Sequence, residues 1–160
     1  MIKKIAVLGS GTMGHGIAEA FAMYGYEVNL YDTDEGRLQI AKKEIKEELE
    51  LLAEEDFIKA EAIQAILDRI TLSIDLKATV ADRDYVIEAV PEILKLKQDL
   101  FKQLDEYCLE HTILSSNTSS LPLNEMLALV SDERKQRMMV SHWYTPGHLM
   151  PLVELSYFGN

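Results

Sequence analysis

Short apolar runs alternate along this chain with longer stretches of helical spacing. Ile5-Ala6-Val7-Leu8 is continuously apolar and predicts a first strand over 2–8. An unbroken apolar run of this length suits a strand covered on both faces. The segment around Ile17 to Met23 predicts a helix over 13–24, which Gly25 ends in the manner of a C-cap. Glu27 to Tyr31 predicts a second strand. Leu38, Ile45, Leu49 and Leu52 recur at helical spacing and predict a helix over 35–55, with another over 58–68. Further strands are expected at 70–73, 85–90 and 112–115, the second of them stopped by Pro91. An amphipathic helix fits 94–107 and a short one 122–130. A strand at 137–141 and an extended segment at 152–155 complete the pattern.

Strands alternating with helices predict an α/β fold with a mainly parallel sheet and helices on both faces. There is no internal repeat, low-complexity tract or interdomain linker, so residues 1–160 read as one domain. The last segment ends abruptly, just after Tyr157-Phe158-Gly159, with nothing to cover it. That ending suggests part of a longer protein.

Between the first strand and the first helix lies Gly9-Ser10-Gly11-Thr12-Met13-Gly14. In a strand–turn–helix context this G-x-G-x-x-G hexapeptide is a dinucleotide-binding fingerprint. Gly9 allows the tight turn, Gly11 the approach of a pyrophosphate, and Gly14 close packing of helix on strand. The unpaired N–H groups of the helix N-terminus favour the same anion. Asp32 follows eighteen residues after Gly14, at the end of the second strand. A carboxylate there accepts hydrogen bonds from an adenine ribose and repels a 2′-phosphate, which favours NAD over NADP. Asp32 also suits a turn or helix cap in Asp32-Thr33-Asp34. The glycine turn and Asp32 together point to a doubly wound, Rossmann-type domain.

Composition narrows the choices. The formal net charge of −11 argues against nucleic acid and anionic membrane surfaces as partners. Acidic residues concentrate between Glu44 and Asp56, most simply a solvated helix face. The single cysteine, Cys108, reads as a structural thiol and suits a reducing, cytoplasmic setting. No apolar run approaches the roughly 20 residues needed to span a bilayer. The apolar part of the N-terminal segment is too short for a signal peptide.

In an open parallel sheet, ligands bind at the carboxyl ends of the strands. Asp32, Glu92, Asn117, Ser119 and His142 fall there. Oxidising a secondary alcohol with NAD requires a base for the hydroxyl proton, and histidine suits that role. His142 and Glu154 are the best candidates for a histidine and its orienting carboxylate, brought together across the Pro146-Gly147 turn. His15 reads as a solvated helix position, with cofactor phosphate as a second possibility. His111 reads as exposed. His148 sits in the loop beyond His142 and is a candidate to line a substrate cavity. No spacing among these groups calls for a metal site.

Several segments then combine: Val7 to Ala18, Val86-Ile87-Glu88-Ala89-Val90-Pro91-Glu92, Ser116 to Leu121, His142-Trp143-Tyr144-Thr145-Pro146 and Met150 to Glu154. In this order the chain resembles the NAD-binding domain of the L-3-hydroxyacyl-CoA dehydrogenase family, which includes 3-hydroxybutyryl-CoA dehydrogenases. The resemblance implies NAD-dependent interconversion of an L-3-hydroxyacyl-CoA and its 3-oxo form, with an acyl-CoA as partner. It assigns His142 as acid/base and Glu154 as its orienting partner. Ser119 matches the serine that bonds the reacting oxygen beside the nicotinamide, and Asn117 the neighbouring asparagine. Glu92 and Lys97 match positions near the nicotinamide ribose, an exposed helix lysine being the other reading of Lys97. Glu88 supports the strand end.

Two departures stand out. Thr145 replaces the family's usual asparagine, so cofactor contact there is expected to be weaker or through water. The helical excursion after the second strand is acidic where acyl-CoA-using relatives often carry basic residues, although Lys42, Lys43, Lys46 and Lys59 lie nearby. These departures favour, as an alternative, a non-CoA 3-hydroxy acid of the kind used by gulonate and carnitine dehydrogenases. The family's C-terminal helical domain, which closes the substrate site and forms the homodimer, is absent from these residues. A nucleotide-binding module without turnover is the reading that this absence motivates.

Overall fold

The computed structural model describes residues 1–157; Phe158 to Asn160, at the abrupt end noted above, lie outside the described residues. Seven strands form one sheet: β1 (Lys4–Leu8), β2 (Glu27–Tyr31), β3 (Ile70–Ser73), β4 (Tyr85–Glu88), β5 (Ile113–Ser116), β6 (Met138–Trp143) and β7 (Val153–Tyr157). Their spatial order is β3-β2-β1-β4-β5-β6-β7. All neighbours pair in parallel except β6 and β7. The direction of winding reverses between β1 and β4, and a crevice opens there at the carboxyl ends of the strands.

Alternation within β1 divides the core. Ile5 and Val7 point to one face, where they pack with Ile17 and Ala18 of α1 (Thr12–Met23) and with Leu38, Ile45 and Leu49 of α2 (Glu35–Glu54). Ala6 and Leu8 point to the other, against Leu100, Phe101 and Leu104. These belong to the amphipathic helix over Leu94–Tyr107. This burial on both faces is why β1 carries no polar alternation.

Strands and long helices fall close to where the sequence places them, and the short helices do not. The helix expected over 58–68 is a 3₁₀ turn at Ala60–Ala62 running into α3 (Ile63–Leu67). A one-turn helix α4 (Leu76–Val80), absent from the sequence reading, starts on Asp75, whose side chain accepts from Ala78 N at 3.0 Å. The helix over Leu94–Tyr107 is therefore α5. α6 covers only Leu123–Met126, with hydrogen-bonded turns carrying the chain on to Val130. A second unforeseen turn, α7 (Asp132–Lys135), is capped by Ser131. β6 runs two residues beyond its expected end. Its antiparallel pairing with β7 continues through His142↔Glu154 to Trp143↔Val153, and the Trp143 ring packs edge-on against Phe21.

Candidate active site

The glycine turn is shaped by contacts that exclude side chains. Gly9 adopts φ +98°, and a Cβ there would lie 2.6 Å from the Ala89 carbonyl oxygen at the end of β4. A Cβ on Gly14 would lie 1.7 Å from the Gly9 carbonyl oxygen. Gly11 is different: a Cβ there would meet nothing within 4 Å. It is the N-cap of α1, and no side chain caps this helix end. The first N–H groups of α1 thus face a space that a phosphate can approach. That space belongs to a cleft of about 670 Å³ lined by Gly9, Gly11, Thr12, Met13, Asp32, Glu92, Lys97, Asn117 and Ser119, among others. Its volume lies within the range of cofactor sites.

Asp32 stands at the far wall of this cleft. Its Oδ2 accepts from Ser10 N at 2.9 Å and Ser10 Oγ at 2.8 Å, and its Oδ1 accepts from Asp34 N at 3.2 Å. Burial alone would raise its pKa, but the Ser10 donors, the Asp34 amide and the Arg37 charge hold it below the ordinary carboxylate value. The group is an anion at neutral pH. Capping of α2 falls to Asp34, which accepts from Gly36 N at 2.8 Å, so Asp32 is free of that task. A carboxylate offers about four acceptor sites, and the Ser10 hydroxyl can rotate away, which leaves room for a ribose hydroxyl. NAD is expected to bind roughly 10- to 100-fold more tightly than NADP, the span of a hydrogen bond to a charged group. Asp32→Ala should erase most of that preference. Calorimetry with both nucleotides checks this, and equal affinities in the unaltered protein would contradict it.

The opposite wall is built on a buried ion network. Lys97, from the first turn of α5, is only 1 % exposed, so it is not the exposed helix lysine that the sequence also allowed. Its Nζ lies 3.0 Å from Glu88 Oε1 and 2.7 Å from Glu92 Oε2. Glu88 ends β4 fully buried, and it accepts from Val90 N at 2.7 Å and Ser116 Oγ at 2.6 Å. Glu92 Oε1 receives the Thr118 hydroxyl and the amides of Ser119 and Ser120, both at 3.2 Å. Partial burial works against its ionisation, yet Lys97 and these donors pull the Glu92 pKa down to about 2. Glu92 and Lys97 thereby hold the loop that presents Ser119. Thr118, which the sequence reading passed over, is part of that clamp.

His142 and Glu154 meet directly. They are cross-strand partners on β6 and β7, with His142 Nδ1 2.9 Å from Glu154 Oε2. A carboxylate only accepts, so Nδ1 carries the proton and Nε2 is left for a substrate. The bonds to His142 and to the Tyr144 hydroxyl hold Glu154 below the ordinary carboxylate pKa. Tyr144 was missed from sequence; its ring lies 4.9 Å from that of His142. His142 and Glu154 stand outside the lining of the cofactor cleft, as do Ser10, Gly14 and Thr145. Asn117 connects the two regions, its Oδ1 accepting from Trp143 N at 2.8 Å, one residue beyond His142. Thr145 donates to Met13 Sδ at 3.0 Å, and so braces the glycine turn with a shorter side chain than asparagine.

One histidine is not where the sequence placed it, and another gains unforeseen neighbours. His15 is buried rather than solvated, its Nδ1 2.9 Å from Gly11 O and its Nε2 3.2 Å from Glu48 Oε1. His148 lines a cavity of about 480 Å³ with Trp143, outside the cofactor cleft, and its Nδ1 packs against Glu19 and Glu48. Glu48 therefore leaves the supposed solvated acidic face, while Glu47 and Glu50 pair with Lys43 and Lys46. His111 is exposed as expected, and Cys108 is a buried thiol pushed up to about 12 by that burial.

Fold and cleft together define an NAD-binding domain of the doubly wound class. Residues 4–157 match the family described as 3-hydroxyacyl-CoA dehydrogenase, NAD binding domain. The chain belongs to this family. It is 38% identical to the mitochondrial hydroxyacyl-coenzyme A dehydrogenase of Sus scrofa, over 97% of this chain and 50% of that protein. It is also 38% identical to a probable 3-hydroxybutyryl-CoA dehydrogenase of Bacillus subtilis, over 96% of this chain and 53% of that one. The crystal structure of 3-hydroxybutyryl-CoA dehydrogenase from Escherichia coli superposes with a TM-score of 0.91 at 37% identity, covering 97% of this chain and 32% of that chain. The chain thus spans about half the length of these curated relatives. Among the described residues, no helix is long and apolar enough to cross a membrane.

Proposed function

We propose that the protein interconverts an L-3-hydroxyacyl-CoA and the corresponding 3-oxoacyl-CoA. The observation that carries this reading is the His142–Glu154 pair, seated at the same end of the sheet as the glycine turn and Asp32. NAD, when bound, supplies the hydride acceptor. In the oxidative direction His142 Nε2 takes the proton of the substrate hydroxyl. Glu154, bonded to Nδ1, holds the ring orientation and stabilises the imidazolium that results. In the reductive direction the same nitrogen returns the proton to the ketone oxygen. Ser119, fixed through its amide by Glu92, donates its hydroxyl to the reacting oxygen. Asn117 keeps the Ser119 loop in register with β6.

The reading includes the rest of the expected organisation. A helical C-terminal domain closes over the acyl-CoA and provides the homodimer contacts, and the chain 1–160 supplies the cofactor half. Pairing of Glu47 and Glu50 with lysines lessens the repulsion that the acidic excursion would exert on CoA phosphates. A reducing, cytoplasmic compartment agrees with the single buried Cys108. The full-length protein should oxidise NADH in the presence of acetoacetyl-CoA. Turnover of free 3-hydroxy or 3-oxo acids with the CoA ester inert would overturn the substrate assignment.

A further inference from the structure

Three side chains from separate elements converge at α1, each with a buried polar atom that has no hydrogen-bond partner among the described residues. Glu19 of α1 is completely buried, and apart from a proton that it can share with Glu48, neither of its oxygens has a partner among the described residues. Glu48 Oε2 of α2 and His148 Nδ1 are likewise unpartnered. His148 Nδ1 lies 3.6 Å from Glu19 Oε2 and 3.4 Å from Glu48 Oε2, and the three donor atoms lie within 4.8 Å of one another. Leaving so many buried polar atoms unpaired is costly unless something satisfies them together.

We propose that Glu19, Glu48 and His148 form a binding site for a divalent transition-metal ion of the Zn²⁺ type. A tetrahedral ion with ligands at about 2.0–2.2 Å sets its donor atoms about 3.3–3.6 Å apart. The two distances from His148 fall in or close to that interval. One imidazole and two carboxylates form a mixed nitrogen and oxygen set, which suits Zn²⁺ better than Ca²⁺ or Mg²⁺ with their preference for oxygen alone. Each ligand is also held in place. The Glu48 carboxylate is oriented by His15, whose Nε2 contacts Oε1 and leaves Oε2 directed at the site. His15 is in turn fixed by the Gly11 carbonyl, with Glu44 Oε2 3.6 Å from its Nδ1. The loop carrying His148 docks tightly on α1, since a Cβ on Gly147 would lie 3.2 Å from Ile17 N.

Protonation is consistent with this use. Burial, reinforced by the adjacent Glu48, raises the Glu19 pKa strongly, so that its carboxyl holds a proton. On metal entry that proton leaves to solvent as the Glu19 oxygen bonds the ion. The ion ties together α1, α2 and the loop that follows the His142 strand. The three ligands lie far apart in sequence, which is why no ligand spacing signalled a site.

The test uses the purified protein, stripped with a chelator and titrated with ZnCl₂. One Zn²⁺ should bind per chain, with proton release and a raised Tm. X-ray absorption should show nitrogen and oxygen neighbours at about 2.0–2.2 Å. Glu19→Gln and His148→Gln should each weaken Zn²⁺ binding by at least about 100-fold while NAD binding persists, which also reports that the variant is folded. If Glu19→Gln does not fold, His148→Gln, altered only on a loop, decides the matter. Failure of the unaltered protein to bind Zn²⁺ overturns the proposal. So does Zn²⁺ binding that survives both substitutions, or a sulfur neighbour that places the ion on Cys108.

Discussion

His142→Ala is expected to lower turnover of a 3-hydroxyacyl-CoA by about 10²- to 10⁴-fold, the usual contribution of a positioned acid/base. NAD affinity should stay within a few-fold of the unaltered protein, because His142 does not line the cofactor cleft. The loss should appear in kcat more than in KM, since the proton transfer belongs to the transition state. Glu154→Gln should cost less. It keeps a group beside Nδ1 but removes the charge that stabilises the imidazolium. Steady-state kinetics of the full-length enzyme with calorimetry for NAD measures both quantities. An unchanged kcat in His142→Ala would remove this residue from the mechanism.

Lys97→Met is expected to have the largest effect on stability. It leaves Glu88, fully buried, without its cation, and breaking such a pair typically costs about 3–5 kcal/mol. For a domain of this size that corresponds to a Tm lower by roughly 6–20 °C. The deficit should also depend on pH. Burial raises the Glu88 pKa even with Lys97 present, as the Lys97 charge, Ser116 and the Val90 amide only partly oppose it. A carboxyl whose folded pKa exceeds its unfolded value favours folding at low pH and disfavours it as pH rises above that unfolded value.

Glu92 has the opposite pH dependence, yet it widens the gap between variant and unaltered protein in the same direction. Its depressed folded pKa contributes stability above the unfolded carboxylate value, and that contribution is lost as pH falls towards about 2. Lys97→Met removes part of it, and the removal is felt where Glu92 is ionised. Thermal melts near pH 5 and pH 7.5 should therefore show a larger gap between variant and unaltered protein at the higher pH. The double variant Glu88→Gln, Lys97→Met should recover much of the loss, because it leaves no fully buried charge unpaired; Glu92, partly exposed, keeps its Thr118, Ser119 and Ser120 donors. Equal Tm values for Lys97→Met and the unaltered protein, or a gap that narrows with rising pH, would refute the account.

Most of the sheet was legible because strand burial and glycine-turn chemistry are written locally. Ile5 to Leu8 followed by Gly9 to Gly14 announces its own structure, and Asp32 closes the next strand at the required place. The pairing of His142 with Glu154 was also within reach, since the Pro146-Gly147 turn returns the chain on itself. Less legible were α4 and α7, each about one turn long and too short for a period to register. Tyr144 and Thr118 were missed because a hydroxyl says nothing about its partner until the partner is in place.

The sequence by itself determined the order of the strands, the glycine turn, the carboxylate proposed to select NAD and the residues offered for proton transfer. Each depends on spacing and turn preference over a few residues, which the fold does not override. Only the tertiary structure decided which charged groups were buried. Lys97 and His15 look solvated on a helical wheel, yet Glu88, Glu92 and Glu48 come to meet them from other elements. Burial of a charge is set by partners distant in sequence, and the convergence of Glu19, Glu48 and His148 has the same origin.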